Sequence, residues 1–233
     1  MSACTSSYDV VVVGGGASGV SAGLQASRKG ANALVLCEHE WLGGMLTSAG
    51  VSAVDGNYNI RGGIFAEFAE RLAEHYGGYD SLKTGWVSNI QFEPHVGAAI
   101  FDDMVSDQNN LKVLRKVQFC NVSKAGKGWV VSYDDGQNIT KVRGKIVIDA
   151  TELGDVARAA GIPYRIGMDA KGETGESTAA DKANAIIQDL TYVAILKDYG
   201  TEADMTIPCP ENYDPSRYAN SCISERSSTV PEK

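Results

Sequence analysis

The sequence predicts an α/β protein with a parallel β-sheet, a small antiparallel meander inserted into it, and part of a second domain. Apolar, β-branched strands at 8–13 and 33–37 flank a glycine-rich turn and a helical pattern, which together form a β-α-β unit. Asp-Asp-Gly at 134–136 predicts a hairpin turn shortly before another apolar strand at 145–150. A length of 233 residues with a hydrophobic content of 43% suits one domain and part of another.

The first turn has the pattern G-x-G-x-x-G at residues 14–19. In such a turn Gly14 permits the sharp bend, and Gly16 lets a pyrophosphate approach the backbone. Gly19 lets the helix pack closely on the strand. The turn, its two strands and the helix together predict dinucleotide binding, with a purely structural glycine turn as the alternative.

Polar groups beside the turn complete the dinucleotide pattern. The helix begins at Ala17 and Ser18, where free N–H groups can bind phosphate oxygens. Glu38 follows the second strand, where a carboxylate can accept hydrogen bonds from both ribose hydroxyls. We therefore expect a valine at Gly14 or at Gly16 to abolish dinucleotide binding and to leave the domain folded.

A second glycine pair, Gly43-Gly44, lies in the segment L-G-G-M-L-T-S at 42–48. Two glycines there let the backbone pass close to the far side of a bound cofactor. Thr47 or Ser48 can donate a hydroxyl hydrogen bond to phosphate or ribityl oxygens. A plain surface turn is the alternative interpretation.

With this second motif, the segment 8–57 resembles the FAD-dependent oxidoreductases of the glutathione-reductase-like fold. It is most similar to the group with L-G-G-M-x-T/S, which Met45 and Thr47 match. The resemblance implies an FAD/NAD(P)-binding Rossmann-like sheet with an inserted antiparallel β-meander and part of a substrate domain. It also implies an extended FAD, with its pyrophosphate on residues 14–19, its ribose on Glu38, and its ribityl chain near Gly43, Gly44 and Thr47.

Two helices and a strand are predicted between the second motif and the meander. Apolar residues spaced four apart predict a helix at 64–76, ended by the glycines at 77–78. The turn at 61–63, Arg-Gly-Gly, is expected within reach of the flavin. A strand is predicted at 86–92, and Pro94 suits the first turn of the next helix.

The predicted meander lies between residues 111 and 142. A pair of short strands is predicted within 111–122, and a hairpin at 128–142. This antiparallel piece is similar to the β-meander of the family. Alignment with that family implies that the backbone of Phe119 meets the adenine.

The strand at 145–150 is expected to be the last parallel strand. The resemblance implies that Thr151, Gly154 and Asp155 lie beside the cofactor at its end. Glu152 stands where relatives usually have glycine, and a bulky acid there is expected to push the backbone away from the dinucleotide. Asp155 has a second interpretation as the N-cap of a short helix, which is compatible with ligand contact.

The composition changes near residue 168, and the chain is divided accordingly. We predict an FAD-binding Rossmann-like domain at 1–167, a partial substrate domain at 168–220 with a strand at 189–199, and a disordered tail at 221–233. Proteins of the family continue well beyond this point. The chain is therefore expected to be truncated at its C-terminus and to bind FAD weakly.

Charge and composition exclude several classes of protein. The 29 acidic and 21 basic residues give a net charge of −8, which argues against a nucleic-acid surface. Apolar runs are too short to predict a membrane span. The five cysteines lack C-x-x-C spacing and the three histidines are scattered, so neither a metal site nor a disulfide framework is predicted. Reduced thiols favour the cytoplasm. The alternative is a periplasmic lipoprotein, because residues 2–5 around Cys4 resemble the end of a lipoprotein signal.

The predicted function is that of an FAD-dependent oxidoreductase that acts on a small-molecule substrate or electron acceptor. The flavin itself supplies the redox chemistry, so no catalytic acid or base is assigned to a residue. Two alternatives remain open on the sequence: an NAD-dependent dehydrogenase and a non-catalytic dinucleotide-binding fragment. The substrate cannot be inferred, because the fold does not specify it.

Overall fold

A computed structural model describes residues 6–55, 59–60, 62–85, 88–188, 190–197, 199–201 and 203–218. The strands are β1 (Ser7–Val13), β2 (Ala33–Leu36), β3 (Leu111–Leu114), β4 (Gln118–Ala125), β5 (Gly128–Asp134) and β6 (Ile139–Asp149). The helices are α1 (Ala17–Arg28), α2 (Gly63–Tyr76), α3 (Pro94–Ser106), α4 (Asp155–Ala159) and α5 (Lys171–Thr174). Short 3-10 turns lie at Gly44–Leu46, Tyr79–Leu82 and Pro215–Tyr218.

The chain forms two compact units, Met1–Ala194 and Ile195–Lys233. The sheet and the helices α1 to α5 belong to the first unit. The second unit contains the 3-10 turn Pro215–Tyr218. The domain boundary near 168 and the disordered tail at 221–233 stay predictions, and the whole of that tail lies outside the described residues.

The six strands form one mixed sheet in the order β3-β2-β1-β6-β5-β4. The pairs β3–β2, β2–β1 and β1–β6 are parallel, whereas β6–β5 and β5–β4 are antiparallel. This arrangement confirms the predicted parallel sheet with an inserted antiparallel meander.

The boundary between the two parts of the sheet lies within a single strand. β6 pairs with β5 over its first half and with β1 over its second half, and Gly144 pairs with both Trp129 and Tyr8. The sequence divided this strand into a hairpin arm ending at 142 and a separate strand from 145. That division was wrong, because Gly144 continues the extended backbone and Gly128 packs against its carbonyl.

Apolar side chains cover both faces of the sheet, as expected for buried parallel strands. On one face α1, α2 and α3 enclose a cluster in which the Phe68 ring stacks on that of Phe101 with a centroid distance of 4.4 Å. On the other face Val11 and Val13 of β1 pack against residues of the meander and Val156 of α4. This packing fixes the carboxyl end of β1 and the start of α1.

The predicted helix boundaries agree with the structure. α1 ends at Arg28, before Gly30 with its φ of 87°. α2 begins one residue earlier than predicted and ends at Gly77, whose φ of 80° only glycine adopts freely. α3 begins at Pro94. Arg61, assigned to the turn before α2, lies outside the described residues.

Two predicted strands are wrong. Residues 88–92 form an extended loop whose backbone bonds go to several different loops, for example from Phe92 N–H to Ser52 and from Gln91 N–H to Leu82. Burial of Ile90 explains the apolar pattern there. Residues 190–197 contain no strand. Leu190 and Tyr192 are 89% and 95% exposed, so the alternating apolar side chains that suggested a strand do not pack against a sheet. Trp86 and Val87 lie outside the described residues.

Within the part of the chain that the structure describes, no helix combines the length and apolar character needed to cross a membrane.

Candidate functional site

A cavity of about 710 Å³ opens at the carboxyl ends of β1, β2 and β6. In α/β sheets, ligands bind at this edge. Seven residues predicted from the sequence line the cavity: Gly14, Gly16, Glu38, Gly44, Phe119, Thr151 and Asp155. The other seven, which do not line it, are Ala17, Ser18, Gly19, Gly43, Met45, Thr47 and Gly154.

Gly14 packs closely against the end of β6, in addition to permitting the sharp bend predicted from the sequence. Its φ is 114°, and a Cβ atom at this position would overlap the carbonyl group of Ala150 at the end of β6. Gly19 packs against the carbonyl oxygen of Gly14 in the same way. Gly14 therefore cannot carry a side chain without a shift of the backbone, which contradicts the expectation that a Gly14 variant folds normally.

Gly16 faces the cavity. It caps the N-terminus of α1 with a φ of −67° and a ψ of 178°, a conformation open to any residue. A Cβ there would contact only the Oε1 atom of Glu152, at 3.1 Å. The first N–H groups of α1, beginning at Ala17 and Ser18, have no carbonyl partner within the helix. They are free to bind an anion beside Gly16.

The two glycine motifs are in direct contact. The Gly43 N–H donates to the Gly15 carbonyl at 2.8 Å, and Gly16 and Gly43 form an isolated parallel bridge. A Cβ on Gly44 would lie 2.8 Å from the Gly16 Cα, and the φ of Gly44 is 55°. The two motifs thus form one continuous glycine surface. Gly16 of the first motif and Gly44 of the second both face the cavity.

The hydroxyls of the second motif form hydrogen bonds within their own loop. Thr47 is buried, and its Oγ1 donates to the Leu42 carbonyl at 2.7 Å. The Ser48 Oγ donates to the Trp41 carbonyl at 3.4 Å. In this structure neither hydroxyl is oriented to donate to a ligand. Met45 is exposed on the same loop.

Glu38 and His39 lie where β2 ends at the cavity. The His39 Nε2 lies 3.2 Å from the Glu38 Oε1, and both side chains are largely exposed. Just before them, Cys37 is buried against Gly15, where a Cβ would overlap its sulfur. Burial raises the pKa of the Cys37 thiol above its ordinary value. Cys37 supports the turn, whereas the Glu38 carboxylate remains available to a ligand.

The meander contributes another part of the cavity wall. β4 has an irregularity between Phe119 and Asn121, so that Cys120 has no partner in the register with β5. Phe119 and Cys120 both line the cavity. The sequence indicated Phe119 through the family alignment, but nothing in it predicted the bulge.

Asp149, at the end of β6, organises the third loop of the site, and the sequence did not assign it this role. Its Oδ1 accepts hydrogen bonds from the Thr151 N–H at 3.0 Å and the Thr151 hydroxyl at 2.7 Å. Its Oδ2 accepts from the Ala157 N–H in α4 at 2.7 Å. The Thr151 hydroxyl also accepts from the Asp155 N–H at 2.8 Å. These bonds attach α4 to the strand end.

Asp155 is not the N-cap of α4, which corrects that interpretation. Gly154 occupies the cap position with a φ of 73° and no side-chain bond, and Asp155 is the first helical residue. Asp155 is exposed at the cavity, together with Arg158 of the same helix.

Comparison with known proteins gives the family. The family model described as FAD dependent oxidoreductase matches residues 9–232. The chain belongs to the FAD-dependent oxidoreductases. The cofactor of this family is FAD. In sequence, no curated protein is significantly similar to the chain.

Solved structures share the fold of this family member. One is the anhydrotetracycline hydroxylase OxyS from Streptomyces rimosus, with 14% identity over 70% of this chain and a TM-score of 0.51. Another is CabE, an aromatic hydroxylase from angucycline biosynthesis, with 16% identity over 70% of this chain and a TM-score of 0.51. This chain spans 35% of the length of each.

The cavity of this FAD-dependent oxidoreductase fits the FAD of its family. The surface formed by Gly16 and Gly44 is a cradle that side chains would fill, and a helix N-terminus and a carboxylate, Glu38, adjoin it. The side chain of Glu152, an exposed residue, reaches this cradle. Among the described residues, no cluster of three or more histidine, cysteine or acidic side chains could hold a metal ion.

Proposed function

We propose that this chain binds FAD in the cavity at the carboxyl ends of β1, β2 and β6 and serves an oxidoreductase that acts on a small molecule or electron acceptor. The observation that carries the proposal is the contact between the two glycine motifs, which places Gly16 and Gly44 together on one wall of the cavity. Family membership supports FAD over NAD, and the substrate is left open.

The diphosphate of FAD would bind where the glycine motifs meet. Gly16 and Gly44 expose backbone without side chains there, and α1 directs its N-terminus, with Ala17 and Ser18, to the same place. A helix N-terminus carries partial positive charge, which favours an anion. Gly14 and Gly19 support this site by packing, and Gly14 also lines the cavity.

The adenosine half of FAD would lie between β2 and the meander. Glu38 offers two carboxylate oxygens to the ribose hydroxyls. Phe119 and Cys120 of β4 line the same cavity. On the third side, Thr151, Asp155 and Arg158 project from the loop and helix after β6.

The chemistry divides between the cofactor and the chain. When bound, FAD supplies the hydride or electron transfer. The residues of this chain would bind and orient the cofactor: Asp149 and Thr151 hold α4 in place. Gly43 holds the second motif against the first, and Thr47 stabilises the loop of the second motif itself. No residue is assigned a proton-transfer role.

The free cysteines support the proposal that the protein is located in the cytoplasm. Cys37, Cys120 and Cys209 are free in the described part of the chain, which suits a reducing cytoplasm. Cys4, on which the lipoprotein alternative depends, lies outside the described residues.

A titration tests the proposed function. Apoprotein is titrated with FAD and, separately, with NAD, and binding is followed by flavin fluorescence or by calorimetry. We expect FAD to bind, and Gly16→Val to abolish binding while the circular dichroism spectrum stays unchanged. Gly172→Val is the control, because a Cβ on Gly172 would have no neighbour within 4 Å and Gly172 does not line the cavity. Equal FAD affinity in Gly16→Val and Gly172→Val would refute the assignment, and binding of NAD alone would favour a dehydrogenase.

A further inference from the structure

Glu152 lies directly over the junction of the two glycine motifs. Its Oε1 is 3.1 Å from the position of a Cβ on Gly16 and 3.3 Å from that of a Cβ on Gly44. The side chain comes from the loop after β6, and the residue is exposed and lines the cavity. A carboxylate oxygen therefore lies at the glycine surface to which an anionic ligand would bind.

The charges around Glu152 do not neutralise it. The cavity wall carries Glu38 and His39 after β2, and Asp155 and Arg158 on α4. Asp149, the last residue of β6, has both oxygens engaged by Thr151 and α4. In the described part of the chain, no cation lies within ion-pair distance of Glu152. The unpaired charge that faces the glycine junction is thus negative.

We infer that Glu152 occupies the diphosphate subsite as a displaceable competitor and thereby sets the affinity of the chain for FAD. This inference rests on the proposed function. An incoming diphosphate must displace the Glu152 carboxylate from the N-terminus of α1, and it then remains close to that negative charge. The side chain is long and exposed, so it can turn toward solvent without a change in the backbone.

The effect of the charge of Glu152 can be separated from the effect of its size. Glu152→Gln retains the size of the side chain and removes its charge, so it relieves the repulsion only. Repulsion of this kind acts on ligands that carry phosphate and not on neutral ones. ADP and adenosine are therefore the informative probes, because they share the nucleoside and differ in the diphosphate.

The experiment measures binding of ADP, adenosine and FAD to three proteins by calorimetry: the unaltered chain, Glu152→Gln and Glu70→Gln. Glu70 is the control, because it is an exposed acid on α2 away from the cavity. We expect Glu152→Gln to bind ADP and FAD about tenfold more tightly, since one negative charge beside the diphosphate is removed. Adenosine affinity should stay unchanged, and Glu70→Gln should match the unaltered chain.

Salt gives a second measurement. Added salt screens repulsion between charges. The ratio of ADP affinities between Glu152→Gln and the unaltered chain should therefore shrink as salt is raised.

Three results would overturn the inference. The first is an ADP affinity that is unchanged or weaker in Glu152→Gln, and the second is a rise of adenosine and ADP affinity by the same factor. Either result leaves the proposed function intact. If neither ADP nor FAD binds to any of the three proteins, the proposed function fails and the inference fails with it.

Discussion

At the scale of single residues, a side chain at Gly16 would enter the cavity, whereas one at Gly14 would enter the backbone at the end of β6. We expect Gly14→Ala to lower the unfolding free energy by more than about 2 kcal/mol, because both the positive φ and the Ala150 carbonyl oppose a Cβ. Urea denaturation measures this. Gly172→Ala should leave the midpoint unchanged; a folded Gly14→Ala of normal stability would contradict the packing seen here.

Glu38 should determine ribose recognition. Replacing it with alanine removes charge-assisted hydrogen bonds worth about 1.5–3 kcal/mol each, so FAD affinity should fall at least about tenfold. Fluorescence titration measures the change. Glu40→Ala is the control, since Glu40 is also exposed and lies two residues further on, paired with Lys116. Equal losses in both variants would show that Glu38 has no special role.

Cys37 links the stability of the glycine turn to pH. Burial raises the pKa of its thiol above the ordinary value of 9.0, so the folded state retains a proton that the unfolded state loses. The stabilisation that the protonated Cys37 thiol provides is therefore complete below the unfolded-state pKa. It decreases as the pH rises from the unfolded-state pKa to the folded-state pKa. The urea midpoint of the unaltered chain should therefore decrease more steeply between pH 8 and pH 10 than that of Cys37→Ala. This range extends about one pH unit on either side of the ordinary thiol pKa. Parallel profiles for the two proteins would contradict this.

At the scale of elements, α4 depends on a residue of the strand before it. Asp149→Asn replaces one acceptor oxygen with an NH₂ group, which is a hydrogen-bond donor. That donor then faces either the donors of Thr151 or the N–H donor of Ala157, and the hydrogen bonds on that side are lost. We expect a loss of about 1–3 kcal/mol in unfolding free energy. Hydrogen exchange should also show earlier opening of α4. Asp103→Asn, an exposed change on α3, should do neither.

Local patterns in the sequence were sufficient to predict most elements. β1, α1 and β2 form a contiguous unit, so their periodicity, glycines and caps all lie within a short window. The course of β6 could not be predicted in this way, because its two halves pair with strands distant from one another in the sequence. The strand predicted at 86–92 failed because burial of Ile90 arises from loops around it and not from a sheet.

The candidate site was predictable to a similar degree. Glycine spacing identified Gly16 and Gly44, and the position after β2 identified Glu38. The role of Asp149 in attaching α4 to β6 could not be predicted from the sequence. Its partner Ala157 lies in the next helix, and the sequence does not specify the backbone conformation of the loop between them. The internal hydrogen bond of Thr47 likewise depends on the fold of its own loop.

At the scale of the whole molecule, stability is unevenly distributed along the chain. The strands and α1–α3 carry the buried core, whereas the described residues beyond 160 are largely exposed. Limited trypsin digestion should therefore cut first at Lys171, Lys182, Lys197 and Arg217 and leave a fragment that contains the sheet. Mass spectrometry identifies the products. Early cleavage at Lys124 or Lys141 in the meander would contradict this distribution.

The pairing of β6 with β1 also governs the order in which the protein can fold during synthesis. β1 can pair with β2 on one side once residue 36 has left the ribosome, but Tyr8 and Val13 on its other side pair with Gly144 and Asp149. Until the ribosome has released that part of the chain, β1 presents an open edge of N–H and carbonyl groups. Unpaired edges of this kind attract other strands. A nascent chain halted before residue 149 is thus the form of this protein most in need of a chaperone.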